Sequence, residues 1–159
     1  ERGFIPVFSV APGLDEGTAD LIREGCRPWR SHEGPGAGLM AASGMVIGAS
    51  GTAAVEALIL GRFMIVLYRA SLSSWLTYKA LVRTRWISIP NVLAGSELYP
   101  ELLQFRVSPG RILEHFDRFT GDANYREGVI TAMRARCASL GQGDAGDGWA
   151  SSILEVLGS

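Results

Sequence analysis

Met45-Val46-Ile47-Gly48-Ala49-Ser50-Gly51-Thr52-Ala53-Ala54-Val55-Glu56 is the stretch whose reading decides the fold. Met45 to Ile47 is apolar without alternation, the pattern of a parallel strand covered on both faces. Ala53 to Leu60 reads as a helix, with Val55, Leu58 and Ile59 on one face and Ala53, Ala54 and Ala57 adding helix propensity. Between them Gly48 to Gly51 is a tight turn, so a buried strand passes directly into a helix.

That turn places the amides of Gly51, Thr52 and Ala53 at a helix N-terminus, where aligned peptide dipoles leave roughly half a positive charge. Gly51 lets a ligand approach the backbone, and Ser50 and Thr52 add hydroxyls, which together make a phosphate-ready site. Ordinary capping by Ser50 or Thr52 is the competing reading. Glu56 discriminates: a capping box places its acid three residues after the cap, whereas Glu56 follows Thr52 by four and Ser50 by six. A carboxylate one turn behind a phosphate-binding N-terminus is placed to accept hydrogen bonds from a ribose, which points to a nucleotide sugar.

Working outward, Phe4 to Val10 reads as a first strand, closed by Ala11-Pro12-Gly13, and a helix starts at Asp15 or Thr18 and runs to Gly25. Arg27 to Gly38 reads as a long irregular loop and Leu39 to Ser43 as a short helix. Phe63 to Leu67 is the next strand, Ser71 to Val82 a helix, and Trp86 to Ile89 a short strand that Pro90 ends. Ser108-Pro109 is an N-cap with proline at the first helical position, opening a helix to about Phe119, and another helix covers Asn124 to Leu140. Strands alternating with helices predict an α/β, Rossmann-like, doubly wound parallel sheet with a helical C-terminal tail. The expected organisation is a nucleotide-binding domain over 1–140, then a Gly-rich link and a terminal helix over 141–159. Gly141-Gln142-Gly143-Asp144-Ala145-Gly146 matches G-x-G-x-x-G in letters, but it follows a helix and has no acid some twenty residues on, so it reads as linker.

The chain has 159 residues, 47% hydrophobic and 19% charged, with a net charge of −1. That describes a packed globular chain without a nucleic-acid platform. Cys26 and Cys137 match no metal or redox spacing and read as the reduced thiols of a cytoplasmic protein. No apolar run reaches the ~18 residues of a membrane span. The chain begins almost at a strand, which suggests a piece of something longer.

Two further constellations stand out. No acid lies between Glu56 and Glu97, while Arg62, Arg69, Lys79, Arg83 and Arg85 do. On a wheel for Ser71 to Val82, Lys79 and Arg83 fall within the apolar arc of Leu72, Trp75 and Leu76. Such a face either snorkels its cations at the edge of a core or meets an anionic membrane surface. In the run from Trp86 to Gln104, Asn91 stands where it can fix a turn or bind a ligand, and Gln104 is a polar contact or a solvated end. His32 is a weak candidate for a catalytic or phosphate contact, and His115 reads as a packing residue.

Taken together, S-G-T-A-A-V-E-A (50 to 57), M-I-V-L-Y-R (64 to 69) and S-I-P-N-V-L-A-G-S-E-L-Y-P-E-L-L-Q (88 to 104) resemble the lipid-A-disaccharide synthase family, in order and spacing, over about residues 41 to 115. The resemblance implies the C-terminal, donor-binding half of a GT-B glycosyltransferase, its N-terminal acceptor domain lying outside this chain. Such enzymes join UDP-2,3-diacylglucosamine to 2,3-diacylglucosamine 1-phosphate by a β-1,6 bond with inversion, release UDP, and use no metal or cofactor. They are peripheral on the inner face of the cytoplasmic membrane. The resemblance further implies that Ser50, Gly51, Thr52 and Ala53 face the diphosphate and Glu56 the ribose. Tyr68, Arg69 and Asn91 would line the cleft, with Glu97 and Gln104 at family positions of less defined role. Leu72, Trp75, Lys79 and Arg83 would form the membrane or acceptor face, and the catalytic base would lie in the other half.

Three positions depart from the family pattern: Phe63 for a proline, Ser96 for a basic residue, Ser43 for an acid. Loss of a cation at Ser96 leaves room for a homologue with another lipid or sugar substrate. The other readings are a UDP-N-acetylglucosamine 2-epimerase, a MurG-like transferase, or a UDP-binding or membrane-docking module without activity.

Overall fold

The computed structural model of the chain describes residues 3–71 and 84–140. In order these form β1 (Val7–Val10), α1 (Glu16–Gly25), β2 (Arg30–Glu33), α2 (Gly36–Ala42), β3 (Met45–Ala49), α3 (Thr52–Ile59) and β4 (Phe63–Tyr68). Then follow α4 (Ile89–Ala94), β5 (Glu101–Leu103), a 3-10 turn (Gln104–Arg106), α5 (Pro109–Gly121) and α6 (Ala123–Ser139). The helix expected over 71–82, with Leu72, Trp75, Lys79 and Arg83, lies outside the described residues, as do the link and terminal helix of 141–159.

The fold is α/β with every strand pair parallel. Its hydrogen bonds form two ladders, β1-β2 and β3-β4-β5. The strand covered on both faces is β4, where Phe63, Met64, Ile65 and Val66 are all at most 2% exposed. Each such side chain contributes on the order of 2 kcal/mol of burial. Phe63 stacks on Phe119 of α5 at 4.0 Å and meets Tyr99 and Tyr125 edge-on, tying the late helices to the sheet. The departure at Phe63 thus has a packing role here.

Several expectations are corrected. β3 is not covered on both faces: Ile47 is 48% exposed, because β3 is the outer strand of its ladder among the described residues. The buried face of α3 is Ala54, Ala57 and Leu58, while Ile59 is exposed. The two alanines let the helix sit close to the sheet, and close approach outweighs the larger apolar side chains in choosing the face. Arg27 to Gly38 is no continuous loop. Arg30 to Glu33 pairs with β1 and Gly36 already begins α2. The polar letters R-S-H-E hide a strand whose ladder, rather than its side chains, holds it.

Trp86 to Ile89 is not a strand either. Ser88 sits at the N-cap of α4 with Pro90 in its first turn, so S-I-P is a helix start, the signal also present at Ser108-Pro109. The strand belonging to this region is Glu101–Leu103, three residues long and too short to leave a period. Gly95 ends α4 in the left-handed conformation (φ 62°).

Candidate functional site

At the carboxyl end of β3 the chain turns into α3. The Ser50 amide donates to Leu67 O at 3.3 Å and so belongs to the β3–β4 ladder rather than to an open turn. Gly51 is the residue that makes the turn: its φ of 148° and ψ of −154° lie in a region essentially reserved for glycine. The first intrahelical bond is Ala54 N to Gly51 O at 3.1 Å, and α3 has no side-chain cap. Among the described residues the amides of Gly51, Thr52 and Ala53 take no acceptor. Among the described residues a Cβ built on Gly51 meets nothing within 4 Å, so the turn itself is uncrowded on that side. Ordinary capping, the competing reading, does not occur here.

The Ser50 hydroxyl makes a long 3.5 Å contact with Ile87 O, and the Thr52 side chain is exposed. Glu56, one turn along α3, is exposed and has no ion pair or hydrogen bond among the described residues. Tyr68, partly buried, and Arg69, exposed, follow at the carboxyl end of β4, adjacent to Ser50 through the β3–β4 register. Five elements of the expected site (the amides, Thr52, Glu56, Tyr68 and Arg69) therefore share the carboxyl side of the ladder, where open α/β sheets bind ligands.

Three expected contacts do not belong to that opening. Asn91 is fully buried. Its Oδ1 accepts from the amides of Leu98 (2.8 Å) and Tyr99 (2.9 Å), and its Nδ2 donates to Tyr99 O (2.8 Å) and Glu101 Oε1 (2.9 Å). It fixes the turn into β5; it does not line a cleft. Gln104, 5% exposed, grips the backbone of Ala70, accepting from its N–H at 2.6 Å and donating to its carbonyl at 2.8 Å. It holds the strand ends after Arg69 with a positive φ of 49°, an uncommon conformation for a side-chain-bearing residue. Glu97 is exposed before β5, beside a shallow depression with Asn124, Tyr125 and Val129 of α6, at the amino end of the strand.

One residue of weight was not singled out from the sequence. Glu101 accepts four hydrogen bonds: Ile87 N (2.9 Å), Ser88 N (2.8 Å), Ser88 Oγ (2.7 Å) and Asn91 Nδ2. A carboxylate so held locks residues 87–91 against β5 and sets the carbonyl of Ile87 beside Ser50. The acid directly after Pro100, in a run whose other side chains are apolar, was the available signal. His32 lies in β2, paired in register with Ser9 in the ladder separate from the site. Of the departures, the Ser43 hydroxyl donates to Leu39 O at 2.7 Å and closes α2, whereas Ser96 is simply exposed.

A Rossmann-like parallel α/β domain with an uncapped, glycine-shaped helix start at its strand ends defines a class of anion- and nucleotide-binding domains. The model of the family described as Lipid-A-disaccharide synthetase matches residues 30–127, and the chain belongs to that family. Relatives include the lipid-A-disaccharide synthase of Anaeromyxobacter dehalogenans, 34% identical over 153 residues, 95% of this chain and 40% of the relative. That of Myxococcus xanthus is 34% identical over 157 residues, 98% of this chain and 41% of the relative. That of Chromohalobacter salexigens is 41% identical over 105 residues, 65% and 27% respectively. The chain therefore spans about 40% of the length of the first two.

Proposed function

We propose that this chain is the donor-binding part of a glycosyltransferase that joins UDP-2,3-diacylglucosamine to 2,3-diacylglucosamine 1-phosphate, forming a β-1,6 bond with inversion and releasing UDP. The observation that carries this reading is the open turn at Gly51. Among the described residues the three amides there, at the positive end of α3, have no acceptor, and the Glu56 carboxylate one turn behind has no ion pair or hydrogen bond. The diphosphate would take the amides of Gly51 to Ala53 and the hydroxyls of Ser50 and Thr52, the ribose hydroxyls Glu56, and Tyr68 and Arg69 would border the sugar. UDP departs with growing negative charge, so fixed donors and Arg69 lower the barrier without having to reorganise. Asn91, Gln104 and Glu101 support this site from behind. The acceptor, the catalytic base and the other half of the enzyme are assigned to residues beyond this chain.

The acceptor and donor of this reaction carry acyl chains, and the reading places the protein on the inner face of the cytoplasmic membrane as a peripheral protein. Leu72, Trp75, Lys79 and Arg83 supply that face. Among the described residues no helix is long and apolar enough to cross a membrane.

The test is thermal denaturation with and without millimolar UDP. UDP raises the midpoint of the wild type, and Glu56→Ala removes most of the rise while leaving the unliganded midpoint in place, because the side chain is exposed. A folded wild type indifferent to UDP refutes the assignment.

A further inference from the structure

The β4–β5 register ends with Tyr68 opposite Leu103, and one more step would set Gln104 opposite Arg69. The main chain does not take that step. At Gln104 it turns into the 3-10 segment with φ 49°, the one positive φ outside glycine among the described residues. L side chains enter that region at a cost, and it persists where surrounding contacts over-determine it. Here those contacts come from the side chain itself, 5% exposed, whose carboxamide reaches past Arg69 to Ala70. Oε1 accepts from Ala70 N at 2.6 Å and Nε2 donates to Ala70 O at 2.8 Å. The carboxamide thus stands in for one peptide of the ladder, as donor and as acceptor.

The consequence falls on Arg69. Its backbone is held on one side by the Tyr68–Leu103 pair and on the other by the Ala70 clamp, while the residue stays exposed. Satisfying the backbone of Ala70 requires only that β5 continue, which supplies ladder bonds without a left-handed residue. What the turn at Gln104 adds is a strand that stops at Arg69 and is still fixed beyond it. On the neighbouring strand Ser50 N donates to Leu67 O, so Arg69 leaves the sheet beside the turn made by Gly51.

We infer that Gln104 is a positioning residue of the nucleotide site: its clamp on Ala70 orders the backbone of Arg69 before the anionic donor arrives, so the guanidinium meets it already in place. The inference rests on the donor-site reading above and adds to it a residue that touches no ligand. Ordering the backbone of one residue at the moment of binding weakens affinity roughly tenfold. A side chain that orders it beforehand removes that loss from the binding step.

Titration calorimetry of the full-length protein with UDP, below the thermal midpoint of every variant, tests this through a double-mutant cycle. Gln104→Met keeps an unbranched side chain, adds no charge and removes both bonds to Ala70. Should that variant not fold, Gln104→Gly removes the same bonds and relieves the left-handed φ. Either is expected to weaken UDP binding about tenfold while Arg69 is present. In an Arg69→Ala background, itself about tenfold weaker or more, the same change should alter affinity by no more than about twofold. A glutamine that only stabilises the fold lowers the midpoint equally in both backgrounds and leaves UDP affinity alone; that result overturns the inference. So does a tenfold loss that persists without Arg69. The wild-type titration reports on the site itself: a folded wild type that ignores UDP refutes the donor-site reading, whereas a wild type and Gln104 variants that bind equally well refute only the role of Gln104.

Discussion

Asn91→Ala separates a residue that builds the site from one that touches its ligand. The side chain is fully buried and makes four hydrogen bonds, to the amides of Leu98 and Tyr99, the carbonyl of Tyr99 and the Glu101 carboxylate. Alanine leaves two donors, a carbonyl and one charged oxygen short of a partner. At about 1 kcal/mol each the loss is about 4 kcal/mol, a large part of the 5–15 kcal/mol typical of a whole domain. For a domain of this size that corresponds to a fall of roughly 10 °C or more in the thermal midpoint. Urea denaturation should show the midpoint concentration falling with the slope unchanged. Asn91→Asp should be no better: it keeps the two accepted bonds but sets a carboxylate 2.9 Å from Glu101 Oε1 where an amide donor stood. UDP affinity, measured below the new midpoint, should change little in either variant. A variant with wild-type stability and weakened UDP binding would refute this reasoning and return Asn91 to the cleft.

Gly51→Ala is expected to cost about 1–3 kcal/mol through backbone strain alone, since the added methyl group meets nothing within 4 Å. Because relief of that strain re-aims the amides, the UDP-induced rise in thermal midpoint should vanish even where the protein stays folded. Tyr99 donates its hydroxyl to Arg62 O at 2.8 Å, and burial raises its phenol above the ordinary value of 10.0. The unfolded phenol ionises first, so this contribution to stability is whole below pH 10 and is lost as pH rises from there through the folded value. Urea midpoints measured from pH 8 to pH 11 should fall at the alkaline end, and less steeply in Tyr99→Phe. Tyr125, also raised by burial, keeps the remaining slope from disappearing.

What was legible in the sequence was whatever one segment decides for itself. The apolar run at 63–67 could only be a strand, Ser108-Pro109 could only begin a helix, and the glycine and small residues of 50–53 already placed a tight turn before a helix N-terminus, with Glu56 a turn behind. Those features follow from propensity, capping and dipole, which act over a few residues. Tertiary structure decided everything that depends on who stands opposite. It made a strand of Arg30 to Glu33 by offering it the edge of β1. It turned α3 onto Ala54, Ala57 and Leu58, and it drew Asn91 and Gln104 inward because the amides of Leu98 and Tyr99 and the backbone of Ala70 needed partners away from water. A polar side chain that could bind a ligand and one that satisfies a buried backbone have the same letter. The partner that distinguishes them arrives only when distant segments pack together.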